Sequence, residues 1–215
     1  MRVARTLLAV LCLAGLRGFA MGADAAAAVP TGADLAKQAL IECEAGRRAT
    51  ERADRQAHYE RGQQIAERAV AADDRSAEAH FAIFCNMGEL MRLDGESVSS
   101  VLQLNRLMSE LDKAIALRPD YGDALAAKGT LLVRLPRLLG GDAVKGEEML
   151  RQVANTDPNA FTTRITLARH CHAKGDDQEA VVFAERALAI AHEQNRADKI
   201  AQAEATLSEL GVANR

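Results

Sequence analysis

The sequence predicts an all-α protein of about four antiparallel helix pairs closed by a C-terminal capping helix. Three observations carry that prediction. A helix-pair pattern recurs at intervals of 34 to 45 residues. Aromatic residues make up 3% of the chain, tryptophan is absent and alanine is abundant, which suits closely packed helices better than a β-sandwich core. No convincing run of alternating apolar residues marks a strand.

Taken in order, the chain opens like a secretory signal. Arg2 and Arg5 precede an apolar stretch from Leu7 to Leu16, and small residues offer a cut near Ala23 or Ala25. That stretch is shorter than the roughly 20 residues a bilayer-spanning helix needs. Cys12 lies inside it rather than after it, so no lipid anchor is expected. The expected product is exported, periplasmic or secreted, with residues 1–25 removed, a flexible leader at 26–33 and a helical domain at 34–215. Without residues 1–25 the chain holds 24 basic and 29 acidic residues, a net charge of −5. A mildly acidic surface without basic runs argues against nucleic acid and against docking on an anionic membrane.

The first predicted helix runs from Ala33 to Gly46, with a charged stretch of uncertain form after it at 47–55. The second spans Gln56 to Ala72 and breaks at Asp73–Asp74. AEAHFAIFCNMGELM makes the third. Val101, Leu104, Met108, Leu111 and Ile115 then form one apolar stripe on a long helix capped near Asp94 to Ser97. GDALAAKGTLLVRL makes the next helix, stopped by Pro136. Gly140 and Gly141 permit a tight turn, and Asp142 can cap the helix after it. Pro119 and Pro158 lack an amide donor and mark helix-to-helix turns. Ala197 to Leu210 carries Ile200, Ala203, Leu207 and Leu210 on one face and reads as the closing cap.

Small residues set the pairing. Ala168, Ala180 and Ala187 are twelve and seven residues apart, with Leu167, Cys171 and Ala184 as companions in the pattern. Gly62–Ala66–Ala69, Leu107–Leu111–Ala114 and Gly146–Leu150–Val153 repeat the spacing of Ala180–Ala184–Ala187, and Gly129 matches Ala168. This resembles the tetratricopeptide repeat (TPR), whose 34-residue unit has small residues at its eighth, twentieth and twenty-seventh positions. The resemblance covers roughly residues 34–210. It departs at Phe84 in the eighth position of the second unit, and at successive strides of 45, 39 and 34 residues, which imply insertions in two units. It implies a right-handed α-solenoid whose usual work is holding another molecule. The LPRLLGGD insertion is similar to that of periplasmic T components associated with TRAP transporters. The elongated second unit is similar to the regulator-of-microtubule-dynamics family.

Residues suggesting chemistry are few. His170 and His172 point about 200° apart on a helix, so they cannot share an ion, and Cys171 between them is expected to be buried beside two surface-facing histidines. No HExxH, CxxCH or paired CxxC occurs, and the GGD at 140–142 lacks the lysine and hydroxyl of a phosphate loop. The expectation is no metal, no cofactor and no enzymatic activity. Cys43 and Cys85 lie on first helices of adjacent units, where a disulfide is conceivable. Three reduced, mostly buried thiols at 43, 85 and 171 are the favoured expectation.

The resemblance implies that each first helix turns its second, fifth, ninth, twelfth and thirteenth positions toward a concave groove. By register these include Glu78, Phe81, Cys85 and Glu89, then Asp123, Ala126, Thr130, Val133 and Arg134, then Thr162, Ile165, Arg169 and His172. An Arg134–Arg169–His172 edge over an apolar floor suits a carboxylate or an acidic peptide. The expected function is an exported scaffold holding a protein or peptide. The alternatives are an accessory protein for a small anionic ligand in a transport system, and a metal- or redox-active Cys/His protein. A groove open at both ends favours peptide, and one plugged by LPRLLGGD favours a small molecule.

Overall fold

A computed structural model describes residues 29–95 and 99–212. Every regular element among them is helical. These are α1 (Gly32–Arg48), α2 (Arg52–Ala72), α3 (Ala77–Asp94), α4 (Ser99–Leu117), α5 (Gly122–Arg134), a 3-10 turn at Arg137–Leu139, α6 (Ala143–Thr156), α7 (Phe161–Lys174), α8 (Asp177–Glu193) and α9 (Ala197–Glu209). None of the described helices is long and apolar enough to cross a membrane. The signal segment lies outside the described residues.

The helices begin and end where local chemistry directs. Thr31 accepts a hydrogen bond from the Asp34 amide while Asp34 accepts from the Thr31 amide, a reciprocal box that starts α1 at Gly32. The helix therefore starts inside the segment expected to be leader, and it runs two residues past Gly46. The charged stretch after it resolves into a short break and then α2, which starts at Arg52 rather than Gln56. Ser76 and Asp142 cap α3 and α6 by accepting from the Ala79 and Lys145 amides. Gly95 ends α3 with φ 76°, whereas the rest of the cap expected for α4 falls partly on residues 96–98, outside the described residues. After Pro136 the chain makes its 3-10 turn, Gly140 takes φ 87° and the Asp142 amide donates back to the Leu132 carbonyl.

Each odd helix packs on the even helix after it, and neighbouring pairs then stack: α1 and α2 on α3, α3 and α4 on α5 through α4, α5 and α6 on α7, α7 and α8 on α9. This is an all-α solenoid, in which each unit buries its face only against the next. The small-residue triplets sit at the contacts. Ala66, Ala69, Leu111, Ala114, Leu150, Ala180, Ala184 and Ala187 are fully buried. Gly129 and Gly146 show why size matters there. A Cβ on Gly129 would lie 2.9 Å from the Gly146 carbonyl oxygen, and one on Gly146 would lie 2.8 Å from that of Gly129. Two backbones meet with no room for a side chain on either.

Ala184 packs between Ala168 of α7 and Leu207 of α9 with no exposed surface. Ala184→Leu should therefore destabilise by roughly 1–3 kcal/mol through overpacking. Exposed Gln178→Glu should change almost nothing. Urea midpoints of both variants check the register, and an unmoved midpoint for Ala184→Leu contradicts it.

The cysteine expectation needs correction. Cys43 of α1 and Cys85 of α3 are disulfide-bonded, with Cα atoms 6.3 Å apart, and both are buried. Side-by-side packing of first helices sets two residues 42 apart in sequence at facing positions within bridging range. Beside the bridge, buried Asn86 donates to the carbonyls of Ala39 and Ala82, tying α3 to α1. Among the described residues Cys171 is the free cysteine, and it is buried.

Candidate partner-binding hollow

The solenoid curves enough for all five odd helices to face one hollow of about 800 Å³. α1 contributes Glu44, Arg47 and Arg48; α3 contributes Phe81, Phe84, Glu89 and Arg92; α5 contributes Asp123, Ala126, Ala127, Thr130 and Leu131. Thr162 and Thr163 of α7 come next, with Asp198 and Lys199 of α9 and Arg196 just before it. A second hollow of about 400 Å³ adjoins it, sharing Arg92, Thr130 and Thr162 and adding Val133, Arg134, Ile165, Arg169 and His170. Even helices contribute to neither, so they form the outer layer.

The floor is apolar and the rim is charged. Phe81 stacks on Phe84 at 5.8 Å between ring centroids and meets Tyr121 edge-on at 5.1 Å. Ile165, which lines the smaller hollow with the arginines, is only 2% exposed. Glu89 is buried and accepts from Arg47 at 2.8 Å and from Arg92 at 3.1 Å, which holds both guanidinium groups at the wall. Arg169 makes a paired contact with Glu209 at 2.9 and 3.1 Å. Arg134 has no hydrogen-bond or ion-pair partner among the described residues, although it lines the smaller hollow.

Of the residues expected at the groove, Phe81, Glu89, Asp123, Ala126, Thr130, Val133, Arg134, Thr162, Ile165 and Arg169 line these hollows. Three others do not. Cys85 is committed to its disulfide behind the wall. Glu78 turns to Arg118, whose guanidinium sits 3.7 Å over the Tyr121 ring. His172 bonds Asp177 at the start of α8, 2.6 Å away, so it does not join the arginine edge. His170 takes that place. It is also not surface-facing as expected, because its Nε2 lies 3.2 Å from Glu147 and its side chain is 11% exposed. Burial would push the Glu147 carboxyl up, but hydrogen bonds from Lys174 and Arg151 prevail and hold it at about 2.

Sequence reasoning missed the residues of α1 and α9, because no register was placed on α1 and α9 was read only as a cap. Arg92 carried a signal: it lies three residues after Glu89, on the same helix face. The Cys171 thiol is free and buried. Burial, with Glu179 beside it, pushes it up to about 11, so it stays protonated at neutral pH.

A search against solved structures finds this architecture elsewhere. The chain is similar to a thermophilic TPR protein, TTC0263 of Thermus thermophilus, with a TM-score of 0.61 and 19% identity over 82% of this chain and 81% of that one. It is similar to MamA, with a TM-score of 0.52 and 17% identity over 78% of this chain and 82% of that one. For MamA of Desulfovibrio magneticus the values are 0.50 and 15%, over 83% and 94%. No protein-family model matches the sequence, and no curated protein matches it either. Identities this low speak for the fold, and that fold is the tetratricopeptide-repeat solenoid.

Proposed function

We propose that this chain is an exported, non-enzymatic scaffold that holds a segment of a protein partner in its hollow, with a carboxylate of that segment at the arginine-rich end. The observation that carries the reading is Arg134, unpaired among the described residues, lining one hollow with Arg92, Arg169 and the apolar Val133 and Ile165. Guanidinium groups bind carboxylates through paired hydrogen bonds, and an apolar floor accepts the aliphatic part of the same segment. Residues 136–142 line neither hollow, which supports a peptide segment over a small anionic ligand. The Cys43–Cys85 disulfide supports an oxidising compartment, as does the apolar stretch at Leu7–Leu16.

Replacing both Arg134 and Arg169 with alanine should weaken partner binding about tenfold or more, since a partly shielded charged contact contributes roughly 1.5–3 kcal/mol. Helicity should not change, because neither side chain is part of the core. The measurement is titration of the partner recovered from an envelope extract against both proteins. Recovery of a small carboxylate alone favours the accessory-protein alternative. Wild-type affinity in the double variant moves the site off the arginine edge.

A further inference from the structure

The wall formed by α5 has a polarity of its own. Asp123, Ala127, Thr130 and Arg134 recur at steps of four, three and four residues, so they form one stripe along the helix, and all four line the hollows. At one end the Asp123 carboxylate has no partner among the described residues. At the other the Arg134 guanidinium has none. Neighbouring charges in the same hollows are largely satisfied: Arg92 by Glu89, Arg169 by Glu209 and Arg196 by Asp198. The stripe therefore presents one open negative and one open positive group, eleven residues or about 16 Å apart along the axis.

Between them the stripe is low and polar. Alanine at 127 lets a ligand backbone come close. Thr130 lines both hollows and its hydroxyl has no partner among the described residues. In the larger hollow with it, Thr163 of α7 is only 3% exposed and likewise has a hydroxyl without a partner among the described residues. A helical ligand satisfies its backbone groups internally, whereas an extended one needs such donors and acceptors.

Resting on the scaffold reading above, we propose that the bound segment lies extended along α5 with fixed polarity, a basic side chain at Asp123 and an acidic one at Arg134. At about 3.3 Å per residue the two charges stand about five residues apart in the partner. A helical occupant would need them about eleven apart.

The test is selection of a random phage-displayed peptide library on the wild-type protein and on a charge-exchanged variant, Asp123→Lys with Arg134→Glu, after circular dichroism shows both folded. Wild type should enrich peptides with a basic and an acidic residue about five apart in one order. The variant should enrich the reverse order at the same spacing, with each protein preferring its own set about tenfold or more. If the exchanged variant does not fold, Asp123→Asn and Arg134→Gln singly should each abolish the order preference. Enrichment of acidic-only peptides, or of an order indifferent to the exchange, overturns this inference and leaves the scaffold reading standing. No enrichment on either protein overturns both.

Discussion

Removing the Cys43–Cys85 bridge should lower the free energy of unfolding by about 4 kcal/mol, the loop-entropy value for a closure of this length. The bridge ties α1 to α3, so it joins the terminal unit to its inner neighbour. In a solenoid each unit is held only by adjacent ones, and an end unit has a single neighbour. Loss of the bridge should therefore loosen α1 and α2 before the rest. Guanidinium titration of the native protein against Cys43→Ala/Cys85→Ala measures the total, and amide exchange shows whether α1 and α2 lose protection first. An unchanged midpoint would mean the bridge does not form in solution. Protein recovered from a secreting host should show one thiol, Cys171, reactive only after unfolding because it is buried. Its mass should match cleavage near Ala23 or Ala25, and retention of Met1 would sink the export proposal.

The second large effect is expected at the buried His80–Glu110 pair. His80 of α3 faces Glu110 of α4 through Nδ1 at 2.6 Å and the Asp74 carbonyl through Nε2 at 2.9 Å. Both ring nitrogens thus lie within hydrogen-bonding distance of an oxygen, one on α4 and one on the loop before α3. Burial pushes the Glu110 carboxyl up, but hydrogen bonds from His80 and Lys113 prevail and hold it below its ordinary value. Glu110→Leu leaves a buried ring nitrogen of His80 without its partner and should cost roughly 1–3 kcal/mol. His80→Leu/Glu110→Leu removes both buried polar groups together and should recover most of that loss. A double-mutant cycle by thermal or urea unfolding reads the coupling, and additive losses would deny it. The pH dependence has a definite sign. A depressed folded value means the stabilisation is present above the ordinary carboxylate range and disappears as pH falls through the folded value. Stability should thus drop progressively below about pH 4.5, with a smaller drop in the double leucine variant.

Much of this architecture was legible in the chain. The spacing of Gly62, Ala66 and Ala69, echoed at Ala180, Ala184 and Ala187, marks where helices touch, because the 3.6-residue turn puts those positions on one face. Pro119, Pro136 and Pro158 mark ends because proline cannot donate an amide hydrogen. Inward positions such as Phe81, Thr130, Arg134 and Ile165 come from the same register. The start of α2 was less legible: RADRQ has no apolar stripe, and the helix is carried by Tyr59 and the small residues beyond it.

The sequence by itself determined the helices, their pairing and most of the inward positions of α3, α5 and α7. These depend on residues within one or two turns of each other. Tertiary structure alone decided that Cys43 and Cys85 are bonded rather than free, that His170 and not His172 joins the arginine edge, and that α1 and α9 share one hollow. Each of these depends on rotation between successive helix pairs. That rotation is small per unit, is spread over many packing contacts, and accumulates along the stack into a curvature that no local spacing records.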